Sequence, residues 1–268
     1  MSRSLLVCWL LCAAFARPVS AEEGKGRNPK AKEFWDAVHA QRTDKQRAII
    51  EDFFDGRRGG TFVDVGAAHH QDLSMTYLLE KRYDWSGLAI DALDHWRAGY
   101  EEHRPRTRFL TYIVTDETGA EQPFYRLKGD IGSTAVKQRA DVLSEKGVRM
   151  TEVLVPTITM NDLLDAQEVT KIDFLSMDIE GGEQRALAGF DIERFRPELV
   201  GIEVFPEAAE GILAYFDQHG YERIAKYLDQ HEGDWYFTCR AAADCASSPK
   251  ALPDEPARPR SATPEQPE

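Results

Sequence analysis

The sequence has little cysteine, with four in 268 residues, and no two of them have the CxxC spacing typical of zinc or redox sites. Cys8 and Cys12 lie in the apolar N-terminal segment. Cys239 and Cys245 lie close together near the end of the predicted domain, and the sequence leaves open whether they form a disulfide or stay as thiols. A zinc finger or zinc ribbon is therefore excluded.

Positive charge is also scarce. Lys and Arg number 33 against 46 Asp and Glu, which gives a formal net charge of −13. A surface of this sign repels the phosphates of nucleic acids and anionic lipids. We therefore expect no nucleic-acid partner. The mix of Arg, Lys and aromatic residues in the segment 115–156 would suit a small-molecule or glycan partner.

No apolar run is long enough to span a bilayer, which needs about 20 residues. The segment from Leu5 to Ala16 carries no charge; Arg3 precedes it, and Val19 and Ala21 follow it at the spacing of a cleavage site. This pattern predicts a signal peptide over residues 1–21. The protein is then secreted or periplasmic, without stable membrane insertion after the signal is removed. The alternative is a retained N-terminal anchor with the folded domain facing the cytosol.

The C-terminal end, residues 246–268, is rich in proline and has no aromatic residue. Such a segment buries too little apolar surface to offset the entropy lost on ordering, which predicts a disordered tail. Between the predicted signal peptide and this tail, one α/β domain is expected over residues 28–240.

Within that domain, short β-like runs alternate with segments of helical periodicity, which predicts a doubly wound α/β sheet. The strands are nearly apolar throughout, as expected when helices cover both faces of a parallel sheet. The clearest of them are Thr61–Val65, Gly87–Asp91, Ile172–Asp178 and Leu199–Phe205. Two final strands follow one another without room for a helix, which predicts an antiparallel edge. The polar segment 115–156 has hairpin character.

Carboxylates follow the ends of these strands. In an open α/β sheet the ligand lies beyond the carboxyl ends of the strands, so these side chains are expected near one another. Each could instead be a helix cap or a solvated loop acid. Asp91, which closes the second strand, has the position of a ribose-binding acid. The candidates are Asp64, Asp91, Asp116, Asp178, Glu180 and Glu203.

The loop after the first strand has one glycine, Gly66, where the GxGxxG fingerprint of dinucleotide-binding proteins has three. A dehydrogenase is therefore disfavoured. A ligand with adenine and ribose but no phosphate, such as S-adenosylmethionine, makes weaker demands on this loop.

Four segments of the sequence resemble the FkbM family of S-adenosylmethionine-dependent methyltransferases. They are TFVDVGA (61–67), LSMTYLLEKRYDWSGLAIDA (73–92), TITMNDLL (157–164) and KIDFLSMDIEGGEQRALAGF (171–190). The last contains the D-x-E-G-x-E-x-x-x-L-x-G signature. The resemblance implies the seven-stranded, Rossmann-like methyltransferase sheet with an antiparallel edge strand, and S-adenosylmethionine as the cofactor.

The resemblance also implies roles for the strand-end residues. Asp64, Gly66 and Ala67 border the methionine end of the cofactor, Asp91 holds its ribose and Asp116 lies near its adenine. Asp178 and Glu180 face the reacting centre, where the family usually methylates a hydroxyl of a sugar or another small acceptor. Glu180 is the first candidate for the general base.

The sequence departs from the family pattern at Ala68 and His70, where members usually carry a polar residue and then a glycine. Either the turn opens differently or the imidazole of His70 fills part of the pocket. No metal is predicted for the enzyme. The rival hypothesis is an exported protein of the same fold that binds a metal or a small ligand through His69, His70 and the carboxylates.

Overall fold

The computed structural model describes residues 29–228 and 233–241. The α-helices are α1 (Pro29–Phe54), α2 (Tyr77–Tyr83), α3 (Arg97–His103), α4 (Lys137–Glu145), α5 (Met160–Ala166), α6 (Glu183–Ala188), α7 (Ile192–Phe195) and α8 (Ala209–Gln218). The strands are β1 (Thr61–Val65), β2 (Ser86–Asp91), β3 (Thr107–Thr111), β4 (Ile113–Val114), β5 (Glu121–Leu127), β6 (Met150–Ile158), β7 (Phe174–Met177), β8 (Leu199–Glu203), β9 (Tyr221–Arg223) and β10 (Asp234–Cys239).

The main sheet has seven strands in the order β3-β2-β1-β7-β8-β10-β9. Strands β3, β2, β1, β7 and β8 are parallel, whereas β10 is antiparallel to both β8 and β9. The predicted doubly wound sheet with antiparallel pairing at one edge is therefore confirmed. The antiparallel strand is β10, which enters next to β8 and leaves β9 at the edge.

Helices cover both faces of this sheet because its strands bury alternate side chains on opposite sides. Phe62 of β1 and Phe174 of β7 pack in one cluster with Ile49 and Ile50 of α1. The alternate residues of the same strands pack with α5, α6 and α8, where Phe216 contributes to the larger cluster. All of these side chains are buried, as their apolar sequence predicts.

A second, three-stranded sheet, ordered β4-β6-β5, forms from the polar segment after β3. Strands β5 and β6 are antiparallel, which confirms the hairpin character, and α4 is inserted between them. In the sequence, residues 108–114 form one continuous β-like run. The chain instead breaks at Tyr112, so that β4 leaves the main sheet and pairs with β6.

The predicted signal peptide and tail lie outside the described residues, and the exported location stays a prediction. Of the described helices, none combines the length and apolarity needed to cross a membrane. Cys239 is disulfide-bonded, and its partner lies outside the described residues.

Candidate active site

A cavity of about 440 Å³ lies at the carboxyl ends of the parallel strands. Its walls come from the ends of β1, β2 and β7, from α1 and from the second sheet with the loop that follows β5. The volume falls within the range of small-molecule sites. Asp64, Gly66, Ala67, Asp91, Asp178 and Glu180, all predicted from the sequence, line it.

Asp91 is the carboxylate at the end of β2. Its Oδ2 accepts the backbone N–H of Ala68 at 3.0 Å and its Oδ1 accepts that of Leu93 at 2.8 Å. Burial raises the pKa of Asp91 to about 6, because the ionised form loses its hydration. An ionised carboxylate has about four acceptor positions, so two remain for hydroxyl groups of a ligand.

Gly66 is required by the sheet itself. Its backbone has φ +86°, and a Cβ built there would lie 1.8 Å from the backbone oxygen of Asp178 on the neighbouring strand. Any side chain would therefore push β7 away from the loop. The close approach that requires this glycine is therefore that of protein backbone, at the place where the family resemblance puts the methionine end of the cofactor.

Asp64 points from β1 to the face covered by α1. It is 4% exposed, and its Oδ2 accepts a hydrogen bond from the Thr76 hydroxyl at 2.9 Å. Burial raises its pKa, and the bond from Thr76 opposes that rise. Asp64 is therefore held by its own protein neighbours at the base of the cavity.

Three carboxylates, Asp178, Glu180 and Glu203, each place an oxygen within 4.8 Å of the others. Arg42 of α1 lies among them, with its Nη2 at 3.3 Å from Asp178 Oδ2 and 3.6 Å from Glu203 Oε1. Burial by itself would lower the pKa of Arg42, but the carboxylates around it raise it above its ordinary value. Burial raises the pKa of Glu203 well above its ordinary range, and the charges of Asp178 and Glu180 raise it further.

Glu180 stands in the turn between β7 and α6, with its side chain 20% exposed. It is one of the few non-glycine residues with positive φ, at +56°. Its backbone oxygen accepts the Thr134 hydroxyl at 2.8 Å, and Arg139 of α4 forms an ion pair with its carboxylate. Burial and the charge of Asp178 raise the pKa of Glu180 to about 7, and Arg139 opposes this rise.

Like Glu203, Asp116 is a predicted site residue that does not line the cavity. Its carboxylate forms an ion pair with Arg185 at 2.6 Å, and the two side chains are 43% and 51% exposed. Thr115, which precedes it, does line the cavity. The chain turns after β4, so that the neighbouring residue faces the surface.

His69 and His70 do not line the cavity either. The ring of His70 packs against α3, 4.7 Å between ring centroids from His103, and its backbone oxygen accepts a hydrogen bond from Arg104 at 2.8 Å. Of the two possibilities for this loop, the filled pocket is not seen, because neither imidazole lines the cavity. Within the described residues, the acidic side chains that converge are Asp178, Glu180 and Glu203, and no histidine belongs to this group. The structure therefore does not bring His69 or His70 together with these carboxylates.

Sequence reasoning missed four residues of this region: Arg42, Arg139, Glu183 and Asp234. A signal for Arg42 does exist. Together with Gln46 it falls at helical spacing on the face of α1 that carries Ile49 and Ile50. A charged residue on an apolar helix face indicates a buried partner. That partner, Asp234, comes from a strand 192 residues further along the chain.

The sequence of residues 64–223 matches the family model described as the methyltransferase FkbM domain. This chain belongs to the FkbM methyltransferase family. The match covers β1 to β9 with the cavity between them, and the protein is accordingly a methyltransferase that depends on S-adenosylmethionine. No curated protein shows significant similarity to the chain.

Solved methyltransferases have a similar fold at low sequence identity. A TehB-like S-adenosylmethionine-dependent methyltransferase from Corynebacterium glutamicum is 12% identical, with a TM-score of 0.42, over 80% of this chain and 100% of its own. Precorrin-6y C5,15-methyltransferase from Geobacter metallireducens is 9% identical, with a TM-score of 0.38, over 71% of this chain and 84% of its own.

The residues present fit the family's cofactor. Asp91 has two acceptor positions left for the two ribose hydroxyls, and its place at the end of β2 is that of a ribose-binding acid. Trp96 and Ile131 line the cavity on that side and offer apolar surface for a planar base. Towards β7 the walls become acidic, as suits a positively charged sulfur.

Proposed function

We propose that this FkbM methyltransferase methylates a hydroxyl group of a sugar or another small polar acceptor. The observation that carries the proposal is Glu180. A carboxylate lies in the wall of the cavity with its pKa raised to about 7, and a general base works best when its pKa lies near the working pH. A hydroxyl acceptor must lose a proton on methylation, so it needs such a group.

The chemistry asks the protein for alignment and for removal of one proton. When bound, S-adenosylmethionine supplies a methyl group on a positively charged sulfur, so that transfer leaves a neutral thioether. Asp91 and the loop after β1 fix the position of the cofactor, and the cavity walls orient the acceptor oxygen. Glu180 holds the proton that leaves the acceptor hydroxyl, and Asp178 beside it keeps Glu180 basic by the repulsion of like charges.

The acceptor side is lined by the second sheet and by the loop that follows β5. Phe124, Ala135 and Val136 contribute apolar surface there, and Gln122 contributes an amide. The basic side chains near this wall have acidic partners, since Arg139 pairs with Glu180 and Arg185 with Asp116. This balance favours a neutral acceptor over an anionic one.

The test is transfer of a labelled methyl group from S-adenosylmethionine by the full chain. The probes are neutral monosaccharides and polyols, with primary amines and RNA as comparison acceptors. We expect label in an ether that survives mild base, abolished in Asp91→Ala through loss of cofactor binding measured by calorimetry. We expect Glu180→Gln to bind the cofactor normally and to lose about 10²-fold in kcat. Label found only in amines or RNA would overturn the proposal.

A further inference from the structure

Arg42 connects α1 to the catalytic edge of the sheet. Its Nη2 lies 2.8 Å from Asp234 Oδ1 of β10, 3.3 Å from Asp178 Oδ2 and 3.6 Å from Glu203 Oε1 of β8. Gln46, one helical turn further along α1, donates to the other oxygen of Asp234. One guanidinium thus contacts carboxylates from three successive strand positions of the sheet, β7, β8 and β10.

The sheet explains why these carboxylates meet one helix. Asp178 follows β7 and Glu203 ends β8, so both lie at the carboxyl edge. Strand β10 is antiparallel to β8, so its first residue, Asp234, lies opposite Glu203 in the register. Asp234 lies two residues before Tyr236, and Glu203 lies four residues after Leu199. Both Tyr236 and Leu199 face α1. Side chains alternate along a strand, so both carboxylates point to α1.

Neither Arg42 nor Asp234 belongs to the segment that matches the family model, residues 64–223. The acids at the reacting centre lie inside that segment, and the cation that faces them comes from a helix before it. Arg42 also lines the cavity, as do Thr43 and Gln46. Helix α1 is thus part of the wall of the site.

We propose that Arg42 is a positioning residue for methyl transfer: its guanidinium holds Asp178, Glu203 and Asp234 as one charged frame and thereby keeps Glu180 ionised as the base. This rests on the proposed role of Glu180. Without the guanidinium, the carboxyl groups of Asp178, Glu180 and Glu203 would keep one cationic partner among the described residues, Arg139 on Glu180. Like charges this close cannot all stay ionised, so protons would be taken up at neutral pH.

The charged groups around Glu180 come from four elements. Asp178, which follows β7, and Glu203, on β8, add negative charge. Arg139 of α4 and Arg42 of α1 oppose it. Removal of Arg42 therefore raises the pKa of Glu180, and the acid limb of the rate profile moves to higher pH.

The first measurement needs no acceptor. The full chain is labelled with ¹³C at the glutamate side-chain carboxyl and titrated by NMR, and the Glu180 signal is assigned by its absence in Glu180→Gln. We expect Arg42→Gln to raise the titration midpoint of Glu180 by about one pH unit. Arg42→Lys, which keeps the charge but contacts fewer oxygens, should give a midpoint between those of the wild type and Arg42→Gln. If Arg42→Gln does not fold, Arg42→Lys provides the test.

Arg57→Gln is the matched control. Arg57 also pairs with carboxylates, at 2.9 Å from Glu198 Oε2 and 3.7 Å from Asp173 Oδ1, but at the amino ends of the strands. We expect this variant to leave the Glu180 midpoint unchanged. With an acceptor from the assay above, the acid limb of kcat should move by the same amount in Arg42→Gln.

An unchanged Glu180 midpoint in both Arg42 variants, or an equal shift in Arg57→Gln, would overturn the role of Arg42. The two proposals fail separately. If Glu180→Gln keeps its methyl transfer, Glu180 is not the base, although Arg42 still sets its titration. If Glu180→Gln is inactive and the Glu180 midpoint does not change in the Arg42 variants, Glu180 is the base and Arg42 is not a positioning residue.

Discussion

At the scale of single residues, the loop after β1 shows how a departure from the family pattern is accommodated by a glycine on another element. A Cβ built on Gly99 of α3 would lie 2.3 Å from Nδ1 of His70. The imidazole therefore occupies the space that a side chain at position 99 would take. This packing keeps His70 away from the cavity, and it explains how the loop retains a free cofactor wall despite its departure from the family pattern.

A double-mutant cycle tests this pairing. Gly99→Ala should destabilise the wild-type protein by about 1–3 kcal/mol, because the new methyl group overlaps the His70 ring. In the background of His70→Ala, the same change should stabilise by about 0.5–1 kcal/mol, the gain expected for Ala over Gly in a helix. Urea unfolding gives both values. Equal effects in the two backgrounds would contradict the contact.

At the scale of elements, the loop between β5 and α4 spans the mouth of the cavity. On one side Asp130 pairs with His95 at 3.0 Å, just after β2. On the other side the Thr134 hydroxyl donates to the backbone oxygen of Glu180, after β7. Asp130 has φ +69° and lies between Gly129 and Gly132, which also have positive φ. The loop thus joins the ribose end of the site to its reacting end.

His95→Ala removes one attachment of this loop. We expect the dissociation constant for S-adenosylhomocysteine, measured by calorimetry, to rise about two- to fivefold, since a partly exposed polar contact between side chains contributes about 0.2–1 kcal/mol. His219→Ala is the control, because His219 forms a similar pair with Glu193 at 3.0 Å outside the cavity. If the two variants bind equally well, the loop does not depend on His95.

At the scale of the whole molecule, the carboxylates buried at one edge of the sheet make stability depend on pH. Glu183 is fully buried; its Oε1 accepts the backbone N–H groups of Ile179 and Gly181, and burial raises its pKa to about 7. The pKa values of Asp91 and Glu180 are raised as well. The folded protein then binds more protons than the unfolded chain between about pH 4.5 and 7. The free energy of unfolding therefore falls as pH rises through this window.

Glu183→Gln should remove the part of this decrease in the free energy of unfolding that Glu183 causes. The difference in unfolding free energy between the variant and the wild type should grow in favour of the variant from pH 4.5 to 7, by about 1.4 kcal/mol for each unit by which the pKa is raised. Urea unfolding at a series of pH values measures it. Glu210→Gln, at an exposed position of α8, should give a constant difference. A constant difference for Glu183→Gln would exclude its raised pKa.

The sequence by itself determined the sheet and its antiparallel edge. It also determined six of the residues that line the cavity: Asp64, Gly66, Ala67, Asp91, Asp178 and Glu180. These follow from local patterns: apolar strands, the residues at their carboxyl ends and the family signature all lie within short segments. The start of α5 at Met160 is also local, because Thr159 caps the helix by accepting the N–H of Asp162.

Only the tertiary structure decided how the charges of the site are balanced. Arg42 meets Asp234 across 192 positions of sequence, and it does so because β10 enters the sheet antiparallel and brings its first residue to the carboxyl edge. The direction in which the loop residue His70 points was likewise decided by Gly99, on helix α3. Such pairings depend on which elements become neighbours in space, and no pattern within one segment specifies its neighbour.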